Sequence, residues 1–382
     1  MINLDNAATS GKKPEAVIRA VNSALYKYSA NPGRGGHNLS ISTAEAIFDA
    51  REKISAFFGA SGGDRVIFTQ NCTTAINYVI KGYLKKEDHV IISDMEHNAV
   101  IRPIQKIGIK NSLAKVSLYD EDETVKNFES LILENTKLVF CTAASNVCGK
   151  MLPLEKIGEM CKRHGIAFGV DAAQMAGMLP IDMKKMNIDY LCIAPHKGLY
   201  APMGIGILIA NADIGDTIIE GGTGTSSQSP YQPEQLPERY ESGTINVPSI
   251  LGTSAGIDFI KNRSRSGYIN EMRHIQRIYS ELEKIPYILL YTPFMQEYRY
   301  MPVLSFNIDG VPSEKTAAFL NERGIAVRAG LHCAPSAHKK LKTIKSGTVR
   351  ISPSIFTTPN EITYLINSLK YKNIQKKLLN EK

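Results

Sequence analysis

No stretch of the 382-residue sequence approaches the roughly 20 consecutive apolar residues that a membrane-spanning helix requires, so a membrane protein is not expected. The first residues, Met1-Ile-Asn-Leu-Asp-Asn-Ala-Ala-Thr9, carry no basic segment followed by an apolar one. No secretory signal is therefore expected, and the expected compartment is the cytoplasm. Cysteine is scarce: Cys72, Cys141, Cys148, Cys161, Cys192 and Cys333, with no Cys-x-x-Cys pair. These read as free thiols, mostly packed as small hydrophobes, and no ligand spacing points to a metal. Internal repeats, low-complexity segments and nucleic-acid motifs are also missing. The net charge of +8 comes from 45 basic and 37 acidic residues. Part of it sits in Lys370-Tyr-Lys-Asn-Ile-Gln-Lys-Lys377, which reads as a solvated, frayed end with only a weak, non-specific attraction for polyanions.

What is present is a regular alternation. Apolar β-branched runs such as Arg65-Val-Ile-Phe-Thr69, His89-Val-Ile-Ile-Ser93, Leu113-Ala-Lys-Val-Ser117 and Lys137-Leu-Val-Phe-Cys141 read as strands. Amphipathic stretches near 73–84, 99–107 and 154–164 read as helices between and after them. This pattern predicts an α/β fold with a mainly parallel sheet between helices. A polar, glycine-rich loop follows at 220–235, and a helical stretch over 249–282 crosses to a smaller α+β unit. The expected division is 15–255 as the large domain and 256–382, with 1–14, as the small one.

In such a sheet, ligands bind at the carboxyl ends of the strands. Asp171 ends the apolar run Gly165-Ile-Ala-Phe-Gly-Val-Asp171, and Lys197 follows Tyr190-Leu-Cys-Ile-Ala-Pro-His196. A carboxylate and a lysine at neighbouring strand ends would face each other across one pocket. Pyridoxal phosphate needs this arrangement: a lysine for its aldehyde and an acid to keep its pyridine nitrogen protonated. Gln174 would donate to the ring's phenolate oxygen. Thr69-Gln-Asn-Cys-Thr73 joins a strand to a helix start, where backbone N–H groups of Cys72 and Thr73 suit a phosphate. His97 reads equally as an imidazole stacked on a cofactor ring or as a solvated loop histidine, and Asn146 as a contact to cofactor or substrate. Cys333, in the loop Arg328-Ala-Gly-Leu-His332-Cys333, has a histidine and an arginine nearby that favour a reactive thiolate. Arg350 offers a planar fork for a carboxylate.

Taken in order, Leu4-Asp-Asn-Ala-Ala8, Asn31-Pro-Gly-Arg-Gly-Gly36, Met95-Glu-His97, Ala144-Ser-Asn146, Val170-Asp-Ala-Ala-Gln174, His196-Lys197, Glu241-Ser-Gly-Thr244 and Arg328-Ala-Gly-Leu-His-Cys333 resemble the class V aminotransferase family of fold-type I pyridoxal phosphate enzymes. The similarity is strongest to group II cysteine desulfurases and selenocysteine lyases, and it covers nearly the whole chain. It implies a seven-stranded sheet in the large domain. It makes Lys197 the Schiff-base lysine, Asp171 the pyridinium partner and Gln174 the phenolate donor, with His97 stacked on the ring. It makes Thr73 and His196 phosphate ligands, and gives Thr244 a reach to the phosphate of a second subunit, hence a homodimer with shared active sites. Asn146, Arg328 and Arg350 become substrate contacts, and Cys333 the persulfide-forming cysteine. Three positions depart from the family: Ala194 and Cys72, where a serine and a threonine are common, and Ile245 in place of a proline.

The expected reaction takes sulfur from L-cysteine, leaves a persulfide on Cys333 and releases L-alanine, with Lys197 moving the Cα proton and His332 assisting proton transfer. The alternatives are a selenocysteine lyase, an aminotransferase, epimerase or β-lyase on the same scaffold, or an inactive sulfur-binding scaffold. A sulfur-acceptor protein is an expected partner. Iron–sulfur assembly, tRNA thiolation and cofactor synthesis remain open as destinations for the sulfur.

Overall fold

The apolar runs assemble into one central sheet. The computed structural model describes residues 1–32, 35–261, 263–371 and 374–380. After a short N-terminal strand, β1 (Ile2–Asn3), the chain supplies β2 (Val66–Thr69), β3 (His89–Ser93), β4 (Lys110–Ala114), β5 (Thr136–Thr142), β6 (Ala167–Asp171), β7 (Tyr190–Ile193) and β8 (Gly206–Ala210). Their spatial order is β2-β8-β7-β6-β5-β3-β4. Only β8 runs against its neighbours, antiparallel to both β2 and β7. The sheet is thus the mainly parallel, seven-stranded one expected. Every residue of β3, β7 and β8 is buried. Successive side chains serve opposite cores: Val90 and Ile92 pack on one face and Ile91 on the other. That two-sided burial is why these strands read as continuous apolar runs rather than alternating ones.

The edge differs from expectation. The strand expected at 113–117 lies at Lys110–Ala114, paired in register with β3 from His89↔Lys110. As the outermost strand it has one neighbour only, so Lys110-Asn-Ser is tolerated there and the apolar pattern shifts off it. The helix expected at 73–84 is a shorter helix, Cys72–Tyr78, that widens into a π-type turn over Val79–Tyr83.

The C-terminal part adds β9 (Ile288–Leu290), β10 (Leu304–Ile308), β11 (Ile325–Ala326), β12 (Arg328–Gly330) and β13 (Thr348–Ile351). Four of them form an antiparallel sheet, β12-β13-β10-β9, while β11 pairs in parallel with β1. The long helical stretch is two helices, Val247–Lys261 and Ser264–Leu282. The tail corrects the sequence reading. Ile374–Asn380 is a helix, and Ile374 and Leu378 are buried in the main core. Their i, i+4 spacing gives the segment an apolar face that a count of lysines hides. Lys372 and Asn373 of that segment, and Gly33 and Arg34 of the Asn31–Gly36 motif, lie outside the described residues. Among the described residues, no helix is long and apolar enough to cross a membrane.

Candidate active site

A cavity of about 320 Å³ opens at the carboxyl ends of the central strands and gathers residues from eight stretches of the sequence, from Ala7 to Arg350. Asp171 closes β6 and is 4% exposed. Its Oδ1 accepts the Ala173 N–H at 3.0 Å and lies 3.7 Å from Cys72 Sγ. A carboxylate buried this deeply calls for a cationic partner. Lys197 lines the same cavity. Burial pushes its ammonium down, with Arg350 and Arg328 adding to the effect and Asp171 opposing it. The Lys197 backbone N–H is tied to the Ala194 carbonyl, whereas no hydrogen bond or ion pair engages its side chain among the described residues.

One end of the cavity suits an anion. The helix Cys72–Tyr78 begins there, capped by Asn71, whose Oδ1 accepts the Thr74 N–H at 3.0 Å. The N–H groups ahead of Thr74 face the helix start with its positive partial charge. Burial, reinforced by the Asp171 charge, pushes the Cys72 thiol up, so it adds no negative charge here. His196 Nδ1 lies 3.0 Å from Thr9 Oγ1. Burial, then Lys197 and Lys13, drives its imidazole down to about 4, leaving a neutral ring. Ala194 is buried and offers no hydroxyl.

The aromatic and polar walls are fixed from outside. His97 caps the helix Asn98–Ile107: its Nδ1 accepts the Ala99 N–H at 3.0 Å, which holds the ring at the cavity wall. Burial lowers its pKa, helped by Lys197, Arg328 and Arg102 against Asp171. Gln174 Nε2 donates to the Ala7 carbonyl at 3.1 Å, so the N-terminal segment orients it. Arg350, on β13, is 1% exposed and donates from Nη2 to Asp5 Oδ1 at 2.6 Å and from Nη1 to the Asn146 carbonyl at 3.0 Å. Its Nε has no hydrogen-bond partner among the described residues. Arg328 stands directly opposite it across the β12–β13 pairing. Two like charges in register repel one another, and an anion between them would relieve that.

Cys333 completes the wall with an exposed thiol. It and His332 both adopt left-handed backbone, φ +57° and +48°. The Cys333 carbonyl accepts the Asn98 N–H at 2.7 Å. His332 is buried, with Nε2 3.1 Å from the Thr348 carbonyl and Nδ1 without a partner. Burial, then Arg350, His338 and Arg328, pushes it down to about 2. The neutral ring therefore anchors the loop at Nε2, and any proton it takes must go to Nδ1. Thr244, in contrast, is exposed on a separate loop and does not line this cavity. Its loop is held by Glu241, which takes both guanidinium nitrogens of Arg51 (2.8 and 2.5 Å) and the Phe68 N–H.

Two partners of the site were not singled out from sequence. Asp5 lies 345 positions from Arg350, too far for any local pattern to connect them. Glu96 is fully buried, with Oε1 accepting the Ser93 hydroxyl and the Thr142 N–H and Oε2 unpartnered among the described residues; burial pushes it up to about 8.

The donor set has the composition that a phosphorylated pyridine aldehyde needs: an amine without a partner, a buried carboxylate, an imidazole wall and a helix N-terminus. Comparisons with known proteins point the same way. The chain is 32% identical to a probable cysteine desulfurase of Methanothermobacter thermautotrophicus, over 96% of this chain and 93% of that one. It is 33% identical to a probable cysteine desulfurase of Halalkalibacterium halodurans, over 97% and 92%. Among solved structures it matches the apo cysteine desulfurase of Thermococcus onnurineus with a TM-score of 0.87 and 29% identity, over 97% of this chain and 94% of that one. The fold is accordingly the fold-type I architecture. The aminotransferase class-V family model matches residues 2–365, and the chain belongs to that family.

Proposed function

We propose that this protein is a pyridoxal-phosphate-dependent cysteine desulfurase that moves the sulfur of L-cysteine onto Cys333 and releases L-alanine. The observation that carries this reading is the exposed Cys333 thiol on the wall of the cavity that also holds Lys197 and Asp171. The names carried by the relatives support it. The fit to the cofactor rests on Asp171, a buried carboxylate with no cation within ion-pair distance among the described residues, and on the open helix start at Thr73. When bound, the cofactor supplies an electron sink for the substrate's Cα.

The chain's own residues do the rest. Asp171 holds the proton on the ring nitrogen and Gln174 donates to the phenolate oxygen. His97 covers the ring face. Thr73, the backbone at Cys72 and His196 hold the phosphate. Arg350, Arg328 and Asn146 fix the substrate carboxylate. Lys197, with its pKa lowered by burial, removes the Cα proton and returns it. The Cys333 thiolate attacks the substrate sulfur: the new S–S bond forms as the substrate's Cβ–S bond breaks, and the bonding electrons stay with the carbon skeleton. His332 stabilises the loop and offers Nδ1 as an acceptor.

We further place the protein in the cytoplasm as a homodimer, with domains 15–255 and 256–382 plus 1–14. The β1–β11 pairing and the Asp5–Arg350 ion pair support assigning the N-terminal segment to the second domain. Leu25, Tyr26, Leu39 and Phe48 are exposed on the two N-terminal helices, and Phe48 and Gly243 line one surface cavity beside Thr244. A second copy covering this face would receive Thr244 at its phosphate.

The test is Cys333→Ala. It should abolish alanine formation from cysteine while the protein stays yellow; undiminished cysteine turnover rejects the assignment. Retained turnover of selenocysteine by the variant would identify a selenocysteine lyase instead.

A further inference from the structure

Next to Cys333, and sharing Thr73, His97, Ala99 and Cys333 with the cofactor cavity, is a second open cleft of about 300 Å³. Its walls are two helical segments. Asn77 and Lys81 stand one turn apart on the first; Arg102 and Lys106 stand one turn apart on the second, Asn98–Ile107. Cys333 closes one end. No carboxylate lines the cleft, and none lies within 4 Å of Lys81, Arg102 or Lys106 among the described residues. By comparison, Lys85 is paired with Asp216, Lys156 with Asp122 and Lys340 with Asp94. Three uncompensated cations around one opening form a local positive field. The Asn98 N–H bond to the Cys333 carbonyl, 2.7 Å, fastens the cysteine loop to the helix that bears two of these cations.

We infer that this cleft is the docking site of the sulfur acceptor, and that the acceptor is a protein presenting a cysteine within an acidic segment. This rests on the desulfurase reading. The length of the cleft favours a segment over a small thiol: Thr73 and Lys81 lie about two turns apart, roughly 12 Å of helix rise. A nucleic acid would also be attracted, but no Phe, Tyr or Trp lines the cleft, and its one ring, His97, is also a wall of the cofactor cavity. A protein cysteine also supplies the nucleophile. Its thiolate attacks the outer sulfur of the Cys333 persulfide, forming a new S–S bond as the Cys333 S–S bond breaks. The electron pair leaves with Cys333 as thiolate, which takes up the proton the acceptor thiol lost, so the exchange is redox-neutral.

The experiment uses full-length, cofactor-loaded protein with L-cysteine and three synthetic peptides. Each has one central cysteine, flanked by glutamates, by serines or by lysines. Persulfidated peptide is measured by mass spectrometry, and alanine in parallel with dithiothreitol as acceptor. The acidic peptide should accept sulfur about tenfold faster than the serine peptide at low salt, with the advantage shrinking as salt rises. Combined Lys81→Glu, Arg102→Glu and Lys106→Glu should reverse the preference while dithiothreitol-supported alanine formation stays within about twofold, since none of the three lines the cofactor cavity. Arg102→Glu alone should give a partial loss, which covers the case of a triple variant that folds poorly. Equal rates for the acidic and serine peptides, or a preference that survives charge reversal, overturns the inference. So does a single-stranded oligonucleotide that competes where the acidic peptide shows no advantage. Absence of alanine with dithiothreitol rejects the desulfurase reading and this inference with it; alanine without peptide preference rejects this inference alone.

Discussion

Asn146 donates its side-chain amide to the His332 carbonyl at 2.7 Å, and its own carbonyl accepts from Arg350 at 3.0 Å. One residue thereby joins the loop after β5, the cysteine loop and β13. Removing the amide leaves the cysteine loop held mainly through Asn98 and Thr348. Asn146→Ala should lower the rate of alanine formation by about 10- to 100-fold, the scale on which small misplacements of reacting groups act. Alkylation of Cys333 by iodoacetamide should become faster in the same variant. Wild-type values for both would show that Asn146 does not position the loop.

The Arg51–Glu241 pair is bidentate, buried, and covered by the Phe68 ring 4.4 Å from the guanidinium carbon. Truncating one partner strands the other charge. Arg51→Ala should therefore cost about 3–5 kcal/mol in urea unfolding. Because Glu241 also orients the Thr244 loop, the variant should dissociate to monomers at higher concentration than the wild type, as read by analytical ultracentrifugation.

Glu96 gives a signed pH dependence. Its folded pKa is raised to about 8 from the ordinary 4.5, with burial the main cause. The stability it contributes is complete below the ordinary value and is lost as pH rises through about 8. Glu96→Gln removes that slope. Melting temperatures of wild type and variant should diverge between pH 5 and 8, roughly the interval between the two pKa values, with the variant holding its value at the alkaline end. Parallel curves would mean that the carboxyl is not neutral in the fold.

Lys197 is the amine whose loss should be visible. Lys197→Ala protein should purify colourless or lose its colour on dialysis, and should form no alanine. A wild-type spectrum after dialysis would remove Lys197 from its assigned role.

The strands were legible in the sequence because a sheet buried on both faces needs apolar runs without polar alternation, and β3, β7 and β8 have them at their centres. Asp171 and Lys197 were legible because they end such runs. What stayed hidden depends on contacts between distant segments. Arg350 looks like a solitary strand arginine until Asp5 is placed against it. Nothing in the sequence shows that His332 is buried and held at Nε2 by Thr348. The C-terminal lysines suggest a loose end until Ile374 and Leu378 are found inside. At β4 the apolar pattern misled by three residues, because an edge strand is not obliged to be apolar.

The cysteine loop is short, bounded by β12 and the helix Pro335–Lys340, and both His332 and Cys333 occupy left-handed backbone. For non-glycine residues that conformation persists only where the surroundings enforce it. Cys333 is consequently a fixed loading point and not a swinging arm. Under the desulfurase reading, an acceptor must travel to it, so each cycle contains an encounter between two molecules, and at saturating cysteine throughput follows the concentration of that acceptor.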